Sequence, residues 1–214
     1  MFILAEELFL LALDDESGWI AASVMDTLRF GLTAALLADL ALQGKIVVEE
    51  RRVLLRDPGA TGDDLLDWAL QRIRDADRPF KLKYWINALS FRKLPRQIAE
   101  RLAERGVLRE EERRYHSVIE ETAEPSPRAP ARYWIKERLR RAVLTTAGAE
   151  QRTLVLLSLL QGCRLLNLAF TKDERKAAGK RIGELVQGED FGAALAQTLE
   201  DIERILLKAS VKDR

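Results

Sequence analysis

One cysteine and one histidine are all that 214 residues carry. A lone Cys163 cannot close an intramolecular disulfide, so the core must hold the fold, and a reducing, cytoplasmic setting is the simplest expectation. Cys163 and His116 together are too few for a His/Cys zinc site. The chain also lacks a glycine-rich phosphate loop, a nucleophile elbow and any metal-ligand spacing, so neither catalysis nor a bound cofactor is expected. Acidic neighbours such as Asp63-Asp64 and Glu49-Glu50 point apart on a helix or strand and make poor acid–base pairs. His116 falls in an expected strand with no Cys near it, and Ser117 beside it would point to the opposite face of that strand. Long apolar runs are missing as well. The opening stretch to Leu13 is broken by Glu6 and Glu7 and has no basic residues before it, unlike a secretory signal. Leu154 to Leu168 carries Gln161, Arg164 and Asn167, which makes it too short and too polar for a lone membrane span. Charge of one sign is absent too: 35 basic against 34 acidic residues leave a net of +1. Affinity for anions must then come from local clustering, and a general nucleic-acid coat is disfavoured.

What is present is the patterning of one helical domain over residues 1–214, ample for a buried core. Phe2 to Leu13 is apolar on nearly every side and predicts a buried helix. A turn is expected at 14–18. Leu28, Leu32, Leu36 and Leu40 make an i, i+4 stripe over Met25 to Gln43, closed by Gly44. Residues 45–55 predict a hairpin. Thr61 is expected to cap the next helix, with Asp64 completing an approximate capping box and Leu65, Leu66, Ala69, Leu70 and Ile73 facing inward. Leu82, Trp85, Ile86 and Leu89 continue helical spacing, as do Leu94, Ile98 and Leu102 before Gly106. A second hairpin is expected around Val107-Leu108 and Val118-Ile119. The segments around Gly44 and Gly106 share one plan, a helix, a capping glycine and a hairpin, which is also the plan of a winged-helix unit. Pro125, Pro127 and Pro130 mark an exposed loop over 124–132. Helices are then expected over Trp134 to Leu144 and Gln151 to Phe170. A third follows a Thr171/Glu174 capping box, and Phe191, Leu195, Leu199, Ile202 and Leu206 line a fourth. Cys163 reads as core.

One segment is chemically distinct. Arg128, Arg132, Lys136, Arg138, Arg140 and Arg141 face the single acid Glu137, a local net of +5, with Tyr133 and Trp134 among them. Such a cluster can hold a phosphate through charge-assisted bonds or face an anionic bilayer, where Trp and Tyr suit the interfacial layer. The bland alternative is a solvated helix face whose Arg stems cover the core.

The segments AEELFLLALDD, LLADLALQGKI, PGATGDDLLDWAL, IAERLAERGVL and WIKERLRRAV lie in the order and spacing of the Golgi phosphoprotein 3 family. That family includes the yeast vacuolar protein sorting 74 protein and many actinobacterial homologues, which this Ala-, Leu- and Arg-rich chain resembles. The resemblance runs from about Leu4 to Leu206. It implies a mostly α fold, a helical-bundle core surrounded by amphipathic helices with two short β-hairpins. It also implies a peripheral adaptor at a membrane surface that binds phosphatidylinositol 4-phosphate through a basic pocket, with protein cargo, and with monomers or homo-oligomers formed through a hairpin. The family's basic helix falls on Trp134 to Val143, so Lys136, Arg138, Arg140 and Arg141 are its head-group candidates. The family's tryptophan and pocket arginine fall near Val24 and Thr33, with Trp19 and Arg29 as the nearest replacements.

Three readings therefore stand side by side: a peripheral binder of anionic phospholipid head groups, a winged-helix-like nucleic-acid binder, and a partner-binding protein without lipid. A DNA-reading helix needs basic or amide side chains on one face. The helix before Gly44 offers Ala34, Ala35, Leu36, Leu37, Ala38 and Asp39, with no basic residue, whereas the helix before Gly106 holds Arg92, Lys93, Arg96, Arg101 and Arg105.

Overall fold

The computed structural model describes residues 1–13, 20–113, 116–121, 131–145, 148–187 and 193–209, and for a few of these only the backbone. Nine α-helices and two antiparallel hairpins are found among them, the mostly helical architecture expected.

The centre is built by α1 (Leu4–Ala12), α2 (Ala22–Leu42) and α7 (Gln151–Gly162), which pack on one another. Every residue of α1 is buried. The stripe Leu28, Leu32, Leu36 and Leu40 of α2 is wholly inaccessible, as are Val155, Leu156, Leu157, Leu159 and Leu160 of α7. At about 1.5–3 kcal/mol for each fully buried large apolar side chain, these three helices supply the innermost share of the stabilising burial. The contact between α2 and α7 is close enough that a methyl group on Gly31 would sit 2.6 Å from the Cys163 sulfur. Burial pushes the Cys163 thiol up to about 12. Native protein should therefore react with a thiol reagent only as fast as the core opens. Labelling as rapid as that of the urea-unfolded chain would contradict this placement.

Around the centre lie α3 (Asp64–Arg74), α4 (Leu82–Ala88), α5 (Leu94–Glu104), α6 (Ala131–Leu144), α8 (Glu174–Val186) and α9 (Ala193–Ala209). The hairpins are β1 (Ile46–Glu49) with β2 (Arg52–Leu55), and β3 (Leu108–Arg113) with β4 (His116–Glu121). The repeated plan is real in its geometry. Gly44 and Gly106 both have φ of 69°. After each, the next amide donates across the cap, Lys45 N–H to the Leu40 carbonyl and Val107 N–H to the Leu102 carbonyl, both at 2.9 Å. This is the Schellman closure that favours glycine.

Some boundaries differ from expectation. The cap of α3 is Asp63, whose carboxylate accepts from the amides of Leu65 and Leu66, while Thr61 donates to Asp67 instead. α2 begins at Ala22, and α6 begins at Ala131, so Arg132 belongs to a helix and is buried rather than in an exposed loop. α7 stops at Gly162 because Arg164 takes φ of 59° and the Leu165 amide donates to the Leu160 carbonyl, a third Schellman closure without glycine. A short 3-10 turn, Leu166–Leu168, fills the rest of the expected helix. The expected turn at 14–18, Trp19, most of the proline-rich loop and Phe191 lie outside the described residues, as does the His116 side chain.

Candidate functional site: the basic helix α6

α6 turns Arg132, Ile135, Leu139, Ala142 and Val143 inward. The helical repeat of 3.6 then divides its cations between two environments. Arg138 leans onto α1, where its Nη2 donates to the buried Glu7 carboxylate at 2.5 Å. Arg140 reaches α8 and grips Glu174 with both Nη atoms, at 2.7 and 2.6 Å. That fork holds the Glu174 carboxyl down at about 2. These two arginines join elements of the fold. Of the four head-group candidates on this helix, Arg138 and Arg140 are thus engaged with carboxylates of the protein.

The outer face carries different chemistry. Trp134 is 58% exposed, Tyr133 51% and Leu144 43%. The two rings meet edge to face with centroids 5.6 Å apart. Arg141 is exposed on the same side as Trp134, two turns along, and has no carboxylate partner among the described residues. Lys136 is half-buried at the edge of this face. Glu137 is the acid beside them, 3.9 Å from Arg140 Nε. Arg29 is on α2, half-buried, its guanidinium 6.0 Å from the Phe30 ring centre. Trp19 lies outside the described residues.

The sequence model of the Golgi phosphoprotein 3 (GPP34) family matches residues 4–202. The chain belongs to the Golgi phosphoprotein 3 family.

In this member of the Golgi phosphoprotein 3 family the five matching segments form α1, the α2–β1 junction, the α3 approach, the α5–β3 junction and α6. Two of them fall on the central helices α1 and α2, and three on the layer around them. Val24 is half-buried, and Thr33 is inaccessible with its hydroxyl donating to the Arg29 carbonyl at 3.1 Å. Position 33 here bonds back onto the preceding turn of α2 instead of offering charge.

Sequence reasoning missed the acids that organise these arginines. Glu6, Glu7 and Asp39 are buried. Glu6 accepts from Arg105 at 2.9 and 2.8 Å and from Arg101 at 3.4 Å. Glu7 takes Arg138, and Arg152 links Glu7 to Asp39. The available signal was two carboxylates in a helix otherwise apolar all round, which must find cations or lose their charge. These pairs also bear on the nucleic-acid reading. Arg101 and Arg105 point to Glu6 and Arg96 donates to Glu100 at 2.7 Å, so three of the five basic residues at α5 are engaged within the protein.

Proposed function

We propose that this Golgi phosphoprotein 3 family member is a peripheral binder of anionic phospholipid head groups of the phosphatidylinositol 4-phosphate kind. It acts as an adaptor at a membrane surface rather than as a catalyst. The observation that carries the reading is the outer face of α6, where Tyr133, Trp134 and Leu144 stand exposed beside Arg141. Aromatic side chains with one polar edge settle at the bilayer interface, and a nearby cation adds about 1 kcal/mol against an anionic leaflet. Lys136 and Arg29 are secondary contributors. Among the described residues no helix is long and apolar enough to cross a membrane, so the contact considered is with a surface. The adaptor role, and with it any protein cargo, is supported by family membership alone.

The test is flotation with vesicles of phosphatidylcholine alone, with phosphatidylserine, and with phosphatidylinositol 4-phosphate. Trp134→Ala with Arg141→Ala should weaken binding to the anionic vesicles roughly tenfold or more, with unchanged circular dichroism. Binding should fall as salt rises, because the charge is exposed. Failure of the unmodified protein to float with either anionic vesicle rejects the function. Undiminished binding by the folded double variant rejects this face.

A further inference from the structure

A second concentration of charge lies away from α6, in a cavity of about 450 Å³ between α4, α9 and the tip of the first hairpin. It draws on three separate stretches of chain. Lys81 and Lys83 come from the start of α4, Arg204 and Lys208 from α9, and Arg51 from the β1–β2 turn. Among the described residues Asp201 is the one carboxylate on its wall. Five cations against one acid give this cavity a local net of +4, in a chain whose whole formal charge is +1.

Asp201 offsets only part of that charge. It accepts from Arg204 at 2.8 Å and lies 3.7 Å from Arg51 Nε. Lys81, Lys83 and Lys208 are exposed and have no carboxylate partner among the described residues. The floor is apolar, with Leu82 and Ile86 buried and Phe30 and Ile205 partly so. The volume falls within the roughly 300–1,000 Å³ range of small-molecule sites, and an apolar floor with a few convergent polar groups is their usual make-up.

The backbone supplies an independent observation. The hairpin tip is the two-residue turn Glu50-Arg51, with φ of 48° and 62°. Both central residues thus occupy the left-handed region, where Asn-Gly is the favoured pair and a long side chain is strained. The turn is fixed beside α4: the Leu82 amide donates to the Arg51 carbonyl at 2.8 Å, and the Val53 amide to the Phe80 carbonyl at 2.9 Å. Of the two strained residues at the tip, Arg51 is the one that lines the cavity, its Nε 3.7 Å from Asp201.

We propose that the cavity between α4, α9 and the Glu50-Arg51 turn binds a phosphomonoester, with Arg51, Lys81, Lys83, Arg204 and Lys208 around the dianion and the apolar floor under the body that carries it. A phosphomonoester fits better than a single carboxylate because its double charge and three acceptor oxygens match several cations at once. The same group is offered by a soluble sugar phosphate and by a phosphorylated lipid head group.

Calorimetric titration with inositol 1,4-bisphosphate and with inorganic phosphate tests the soluble source, and flotation on phosphatidylcholine vesicles with and without phosphatidylinositol 4-phosphate tests the lipid. Saturable binding in either arm is expected, weakened roughly tenfold or more by Lys83→Ala with Lys208→Ala. Glu50→Asn with Arg51→Gly relaxes the turn, so this variant should raise the unfolding midpoint while weakening the ligand, a combination that misfolding cannot produce. Lys180→Ala, an exposed change on α8 outside both the cavity and the α6 face, should keep full affinity for inositol 1,4-bisphosphate, which ties any loss to the cavity. Calorimetry reads the cavity without a membrane, so loss of the α6 effect in flotation leaves this proposal standing. Absence of saturable binding in both arms overturns it, as does binding indifferent to the cavity variants. Equal affinity for polyglutamate would assign the patch to acidic protein segments and overturn it as well.

Discussion

Replacing Arg152 with Met is expected to lower stability by about 3–5 kcal/mol at neutral pH, the usual cost of leaving a buried charge without its partner. Arg152 donates to the Asp39 carboxylate at 2.5 Å and to the Phe2 carbonyl at 2.6 Å, and its Nε lies 3.7 Å from Glu7. Asp39 also accepts the first amide of α1, from Leu4, at 2.5 Å. Burial raises the Asp39 carboxyl from its ordinary 3.8 to about 6, even with Arg152 opposing that rise. The sign follows directly. The folded state holds a proton that the unfolded chain has released, so the stability tied to Asp39 is full below 3.8 and is lost as pH rises through about 6. Over that window the loss is about 3 kcal/mol. Without Arg152 the carboxyl should keep its proton to still higher pH. The deficit of the Arg152→Met variant should therefore shrink between pH 7.5 and pH 5 in urea unfolding. A double variant adding Asp39→Asn should recover part of it, since both partners are then neutral and the Leu4 amide keeps an acceptor. A deficit equal at both pH values, and untouched by Asp39→Asn, would contradict the pairing.

Glu174 runs the other way. Its carboxyl is held at about 2 by the Arg140 fork, so what that pair contributes is present above the ordinary 4.5 and fades as pH falls toward 2. Acid thus relieves the cost of burying the Asp39 charge while it loosens the α6–α8 tie.

Much of this fold was legible because its local signals agree. The i, i+4 stripe of α2, the inward set of α3 and the glycines at 44 and 106 each name one structure, and both chain geometry and burial follow them. Boundaries escaped where the deciding group was not the customary residue. Arg164 ends α7 in the conformation glycine usually takes, and Asp63 caps α3 although Thr61 is the better-placed hydroxyl by motif. The pairing of charge was less legible for a different reason. Glu7 meets Arg138 across 131 residues of chain, and Asp39 meets Arg152 across 113. No spacing rule reports such distances, so six cations in fourteen residues read as one surface when the fold sends three of them to separate places. The cavity beside α4 was invisible for the same reason: its cations are drawn from residues 51, 81–83 and 204–208 and make no local cluster.

Separating the two jobs of α6 gives the second large effect. Arg138→Ala should cost about 2–4 kcal/mol, because Glu7 is almost inaccessible and would keep only the more distant Arg152. The magnitude sits below that for Arg152 because the Arg138 side chain is itself 35% exposed and water can partly replace it. Arg141→Ala should leave the unfolding midpoint nearly unchanged, since that side chain is exposed and takes no carboxylate partner among the described residues. Binding to anionic vesicles should reverse the order. Per folded molecule, Arg138→Ala retains it at temperatures well below its lowered midpoint, and Arg141→Ala weakens it several-fold, about 1 kcal/mol for one interfacial cation. Chemical unfolding and vesicle flotation on the same two proteins decide the matter. If Arg138→Ala abolishes flotation while its stability is unaltered, then Arg138 leaves Glu7 to meet the head group, and the division of α6 into an inner edge that joins the fold and an outer membrane face is wrong.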